Sequence, residues 1–178
     1  MFFCKKIIMK KFLFQISVSF IFSFLFTVNG FSQCKAEKDA FSGKMVINYK
    51  FNDSFSYSVQ DSAIFFSNQF SYLGEFNAVA KAGTKFYFKL TNGEIIEFTS
   101  ISDSQPVSEI SGTYIYSRYT FRTILSRENL EKLTTSEVEV QRFPDLKGGF
   151  IDSELKGLKK KFAKKINEGA ICIKENLK

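Results

Sequence analysis

The 178-residue chain contains no histidine, which removes much of the usual chemistry of sites. Without imidazole there is no Ser-His-Asp triad, no Cys-His pair and no histidine-ligated metal. Of the three cysteines, Cys4 falls in an N-terminal targeting segment, leaving Cys34 and Cys172. Two cysteines alone cannot complete a tetrahedral zinc shell. In an exported chain they most simply form a disulfide, with two unrelated buried thiols as the alternative. Cys172 has no base to activate it as a nucleophile. Glu137 and Glu139 stand two apart on one face of a strand, where paired carboxylates could do acid–base work, but an exposed strand usually leaves such a pair solvated. Ser–Lys dyads are numerically available and none is singled out. Gly148-Gly149 lacks the Lys-Ser/Thr of a phosphate loop. No catalytic residue, cofactor or metal ligand is therefore assigned, and a non-enzymatic reading is preferred with an enzyme left open.

Two groups of residues could bind rather than react. Lys156, Lys159, Lys160, Lys161, Lys164 and Lys165 are spaced to form the basic face of an amphipathic helix. That face is either simply solvated or rests on an anionic surface such as lipopolysaccharide, anionic lipid or polysaccharide. Tyr114 and Tyr116 share a face of an extended strand while Tyr119 points the other way. The first two thus form a possible ligand platform for sugar or peptide, against the alternative of sheet packing.

The elements that position these residues begin after residue 32. Lys5, Lys6, Lys10 and Lys11 precede the uncharged run Phe12–Val28, and Gly30-Phe31-Ser32 supplies small residues for cleavage. Residues 1–32 read as a signal peptide starting at Met1 or Met9, leaving a single domain over 33–178 with no transmembrane segment. An uncleaved anchor helix and a lipoprotein with Cys34 lipidated are the alternatives. Of the seven net positive charges, four leave with the segment. The remaining +3 is too little to point to nucleic acid. Secretion or retention in a periplasm follows, with an outer-membrane lipoprotein as the other destination.

The fold expected from 33–178 is α+β, an antiparallel meander of about six to eight strands with two helices. Its best-defined part is Thr84–Ile101. Asn92-Gly93 marks a hairpin, and a three-residue Thr91-Asn92-Gly93 loop places Phe88 opposite Ile96 and Phe86 opposite Phe98. A two-residue loop would mix apolar and polar side chains on one face, so the three-residue register is expected, with Gly93 in a G1 bulge. Lys44–Phe51 and Ser54–Gln60 alternate, with Met45, Ile47, Tyr49, Phe51, Phe55, Tyr57 and Val59 on the apolar side. Ala63–Phe66 reads as a strand buried on both faces, distinct from an alternating stretch at Phe70, Tyr72 and Phe76. Ser102–Gly112 reads as a loop, Thr113–Leu125 as a long strand and Ser136–Phe143 as another, with Val138 and Val140 inward.

Ser126 is placed to cap a short helix near 126–134, with Glu128 in its first turn and a Leu125–Leu130 staple. A C-terminal helix near 153–168 carries Leu155, Leu158, Phe162 and Ile166 at helical spacing, with Gly169 as its end. It is expected to pack on one face of the sheet and to roof the Phe86/Phe88/Ile96/Phe98 surface.

Several short motifs together give a resemblance. They are Cys34 followed by Asp39, Phe41, Ser42, Gly43 and Lys44; Leu90, Asn92 and Gly93; Leu130 and Leu133; and Cys172-Ile173. In this layout the chain resembles small secreted proteins of unknown function from Bacteroidetes-type bacteria. The resemblance implies an exported α+β protein and no activity. The functional expectation is a binding or surface-associated protein. A carrier of a small apolar ligand between sheet and helix is the alternative, and a hydrolase using carboxylates or a Ser–Lys pair comes after it.

Overall fold

A computed structural model describes residues 34–177; the expected signal segment and the choice between Met1 and Met9 lie outside the described residues. Ten strands run in the order β1 Cys34–Lys38, β2 Met45–Phe51, β3 Phe55–Gln60, β4 Ala63–Leu73, β5 Lys85–Leu90, β6 Ile95–Thr99, β7 Val107–Ser111, β8 Tyr114–Leu125, β9 Val138–Pro144 and β10 Phe150–Glu154. Helix α1, Arg127–Thr135, lies between β8 and β9. Helix α2, Lys160–Asn176, closes the chain after one 3-10 turn at Gly157–Lys159. All strand pairs are antiparallel. They form a six-stranded sheet in the order β1-β2-β3-β4-β8-β7 and a four-stranded sheet in the order β10-β9-β5-β6.

The hairpin adopts the register that keeps one face apolar. Phe86 pairs with Phe98, Tyr87 with Glu97 and Phe88 with Ile96. The Leu90 amide donates to the Glu94 carbonyl at 2.8 Å, and Gly93 has φ +88°, where a side chain is disfavoured. Ile47, Tyr49, Phe55, Tyr57 and Val59 are buried, as alternation requires. Met45, at the open end of β2, is exposed.

The strand count exceeds the expected range for a physical reason. β1, β7 and β10 lie at sheet edges, where they pair on one side only. Their mostly exposed side chains need no two-sided pattern, so their residues read as polar or loop segments. Conversely, Ala63–Phe66 and Phe70–Tyr72 belong to one strand, β4. Ile64, Phe66, Phe70 and Tyr72 face inward while Phe65 faces out, beneath the Arg122 guanidinium at 4.2 Å from its ring centroid.

The cover over the hairpin is a correction to the expected architecture. Phe86, Phe88 and Phe98 pack against the six-stranded sheet, not beneath the C-terminal helix. Ring centroids lie 5.8 Å apart for Phe66–Phe88, 5.4 Å for Phe66–Phe98, 5.4 Å for Phe70–Phe86 and 4.5 Å for the stacked pair Phe70–Phe143. The sheets thus share a phenylalanine core, each fully buried ring contributing about 1.5–3 kcal/mol of transfer free energy.

Helix α2 packs instead on β1, β2, β3 and β9 and on α1. Its start is also later than expected. Ser153 and Glu154 belong to β10, and Gly157, at φ +58°, turns the chain before the helix begins. Leu155 is buried beside the sheet, whereas Leu158, expected inward, is fully exposed. Nor does Gly169 end the helix. It is buried mid-helix, and a Cβ there would stand 2.7 Å from the rings of both Tyr49 and Tyr57. The missing side chain lets α2 lie directly on β2 and β3.

Helix α1 is built as its sequence requires. Ser126 accepts from the Asn129 amide at 3.1 Å, and Leu125, Leu130 and Leu133 are buried. Asn167 of α2 donates to the carbonyls of Leu133 and Thr134 at 2.7 and 3.0 Å, satisfying helix-end acceptors of α1. The Cys34–Cys172 disulfide joins the first strand to α2, with Cα atoms 5.9 Å apart.

Candidate functional site

One face of the four-stranded sheet is occupied by the phenylalanine core, and the other carries a depression of about 500 Å³. The alternation of β5 that buries Phe86 and Phe88 turns Tyr87 and Lys89 outward. Neighbouring β9 contains an irregularity: Lys89 pairs with Val140 and Leu90 with Val138, so Glu139 is an extra residue. This bulge reverses the side-chain alternation beyond it. Val138 is buried, and so is Gln141 opposite Phe88, while Val140 and Arg142 belong to the outer face beside Tyr87 and Lys89. Val140, expected inward, is therefore part of the depression.

The far wall comes from β10, where Asp152 pairs with Arg142 in the strand register. Arg142 grips Asp152 in a two-point fork, Nε to Oδ1 at 2.6 Å and Nη2 to Oδ2 at 2.7 Å. These hydrogen bonds hold the Asp152 carboxyl below its usual value and raise the guanidinium further. Tyr87 and Phe150 meet edge to face with centroids 5.6 Å apart. Phe150 is 52% exposed and Ile95, on the opposite side, 64% exposed. The result is an aromatic and aliphatic floor rimmed by a neutralised charge pair. It offers apolar contact and directional hydrogen bonds. Asp152 is ionised and committed to Arg142, which does not suit it to donate a proton as a general acid.

The residues singled out by sequence lie elsewhere. Tyr114 and Tyr116 share a face of β8, as their spacing requires, Tyr114 at 58% exposure and Tyr116 half-buried. They stand opposite Ser111 and Glu109 of β7, in the six-stranded sheet, and do not join the depression. Tyr119 points inward, its hydroxyl donating to the Ala78 carbonyl at 2.7 Å. Glu137 precedes β9, while Glu139 is paired with Lys89 at 3.5 Å, so the two carboxylates form no unit. Lys156 pairs with Glu154 at 3.1 Å, Lys159 donates to Ser153 at 3.0 Å, and Glu168 lies 3.8 Å from Lys164 and 2.6 Å from Lys165. Among the described residues no three His, Cys, Asp or Glu side chains gather as metal ligands.

Tyr87, Arg142, Phe150 and Asp152 were not selected from the sequence. A signal was present, since Arg142 and Asp152 flank the turn 145–149 symmetrically, as an opposite-charge cross-strand pair would. Comparison with protein-family models, curated proteins and solved structures finds no match.

Proposed function

We propose that this chain is an exported, disulfide-stapled binding protein without catalytic activity, and that its ligand site is the depression between β5, β9 and β10. The observation that carries this reading is the Tyr87–Phe150 aromatic pair, Phe150 exposed and Tyr87 half-buried, combined with the Arg142–Asp152 fork in a concavity of about 500 Å³. That volume lies in the range of small-ligand sites, and a mostly apolar floor with a few oriented polar groups is their usual composition. The ligand class that fits is a saccharide, whose C–H faces rest on aromatic rings and whose hydroxyls meet guanidinium and carboxylate. Export is supported by the character of residues 1–32 together with the disulfide, which persists in oxidising compartments. The kinship with small secreted Bacteroidetes-type proteins belongs to the same proposal.

A peptide is the second reading, favoured by one observation: β10 is an edge strand of the sheet that bears the depression, so an extended chain could add beside it. The carrier alternative is less well supported. At Gly169 the helix–sheet contact has no room for even a methyl group.

Titration with neutral oligosaccharides, followed by amide chemical shifts, tests the proposal. Tyr87, Arg142 and Phe150 are expected to shift together, and Tyr87→Ala with Phe150→Ala to abolish binding while leaving the fold intact. Saccharide binding that survives the double substitution, or shifts confined to Tyr114 and Tyr116, would remove the depression as the site. Protection of the β10 amides by a peptide, with no response to sugars, would favour the second reading.

A further inference from the structure

Leu158 is 100% exposed on the turn that leads into α2. A lone exposed leucine is ordinary; its surroundings are not. Lys156 and Lys159 flank it, and Lys160, Lys161 and Lys164 follow, all exposed. By helical periodicity Lys161 and Lys164 point away from the buried stripe Ala163, Ile166 and Ala170, and Lys160 flanks it. Among the described residues, only Glu154 and Glu168 are paired with lysines of this segment. With Lys165 counted, six lysines against two glutamates leave four positive charges uncompensated, and among the described residues Lys160 and Lys161 have no ion-pair partner. The charges also oppose the fold. The first turn of α2 has no acidic residue, so lysines there run against the helix dipole.

We propose that residues 156–164 form a contact for an anionic phospholipid bilayer. Leu158 enters the acyl boundary while Lys156, Lys159, Lys160, Lys161 and Lys164 sit at the level of the headgroup phosphates. Charge complementarity selects an anionic partner, and the apolar tip selects a bilayer over a soluble polyanion, which has no interior for leucine to enter. Each lysine strengthens such binding about fivefold, and insertion of one leucine adds roughly tenfold or more, so the contact is reversible. It is independent of the depression on the four-stranded sheet.

The chain has no tryptophan, so Leu158→Trp in the full chain places a single fluorescent reporter at the tip. With phosphatidylglycerol vesicles its emission is expected to move to the blue and to be quenched by brominated acyl chains. Phosphatidylcholine vesicles and heparin in solution are expected to leave it unchanged. Adding Lys160→Ala and Lys161→Ala is expected to weaken the response roughly 25-fold, and high salt to suppress it. In the otherwise native chain, Leu158→Ala is expected to weaken sedimentation with phosphatidylglycerol vesicles roughly tenfold.

No shift with phosphatidylglycerol would overturn the proposal. So would an equal shift with phosphatidylcholine, or one indifferent to the lysine substitutions, because residues 1–32 could then be carrying the chain to any bilayer. A shift produced by heparin alone would assign the patch to a polyanion instead.

Discussion

Gly169 stands so close to Tyr57 that a Cβ on the glycine would lie 2.7 Å from the tyrosine ring. One turn earlier on α2, the Ile166 carbonyl accepts the Tyr57 hydroxyl at 3.0 Å. Contact and hydrogen bond together fix both the height and the axial position of the helix on the strand.

Gly169→Ala is therefore expected to destabilise. In an open helix the change would stabilise by about 1 kcal/mol, but here overpacking against two buried rings costs about 1–3 kcal/mol. The sign alone discriminates: a urea midpoint that rises in the variant would show that α2 does not lie on Tyr49 and Tyr57 as described.

The two tyrosines beneath the helix should respond differently to loss of their hydroxyls. Tyr57→Phe removes a buried hydrogen bond and is expected to cost about 0.5–1.5 kcal/mol. Among the described residues the buried Tyr49 hydroxyl has no hydrogen-bond partner, so Tyr49→Phe is expected to be neutral or stabilising. Burial, with the Glu168 charge as a smaller contribution, pushes the Tyr49 phenol from 10.0 to about 12. A folded-state value above the unfolded one gives a contribution that is complete below pH 10 and is lost as pH rises towards 12. Stability across that window should fall less steeply with pH for Tyr49→Phe than for the native chain; parallel curves would contradict the assignment.

The disulfide closes a separation of 138 residues, for which the chain-entropy argument gives at most about 5 kcal/mol. Replacing both Cys34 and Cys172 by serine should lower the urea midpoint substantially while retaining the same secondary structure. An unchanged midpoint would mean that the ends are held by packing alone.

Acid should weaken the β9–β10 pair. The hydrogen bonds from Arg142 lower the Asp152 carboxyl below its ordinary 3.8, so its contribution is present above that value and is lost as pH falls through the lower, folded-state one. Both groups are exposed and screened, which keeps the effect small. Local amide exchange on β10 is the sensitive measurement: the native chain should lose protection as pH falls below 3.8, and Asp152→Asn should show no such step.

The part of this fold legible in the sequence is the part settled by local physics. Phe86, Phe88, Ile96 and Phe98 can share a face in only one hairpin register, and Asn92-Gly93 makes the required turn available. Ser126 announces α1, and the lone pair of cysteines beyond residue 32 announces the staple. Tyr114 and Tyr116 fall on one face because a strand has a period of two.

What only the tertiary structure decided is which surfaces meet. A phenylalanine face reads the same whether a helix or a second sheet covers it, so the packing of Phe66 and Phe70 on Phe86 and Phe88 was not readable from pattern. Asp152-Ser153 resembles a helix start until strand pairing with Arg142 and Gln141 claims it for β10. Gly169 looks like a helix stop because its reason for being glycine, the rings of Tyr49 and Tyr57, lies more than a hundred residues away in the chain. The candidate site has the same origin. A single extra residue at Glu139 turns Val140 and Arg142 to the outer face beside Tyr87, and alternation read along one strand cannot reveal where its partner forces a bulge.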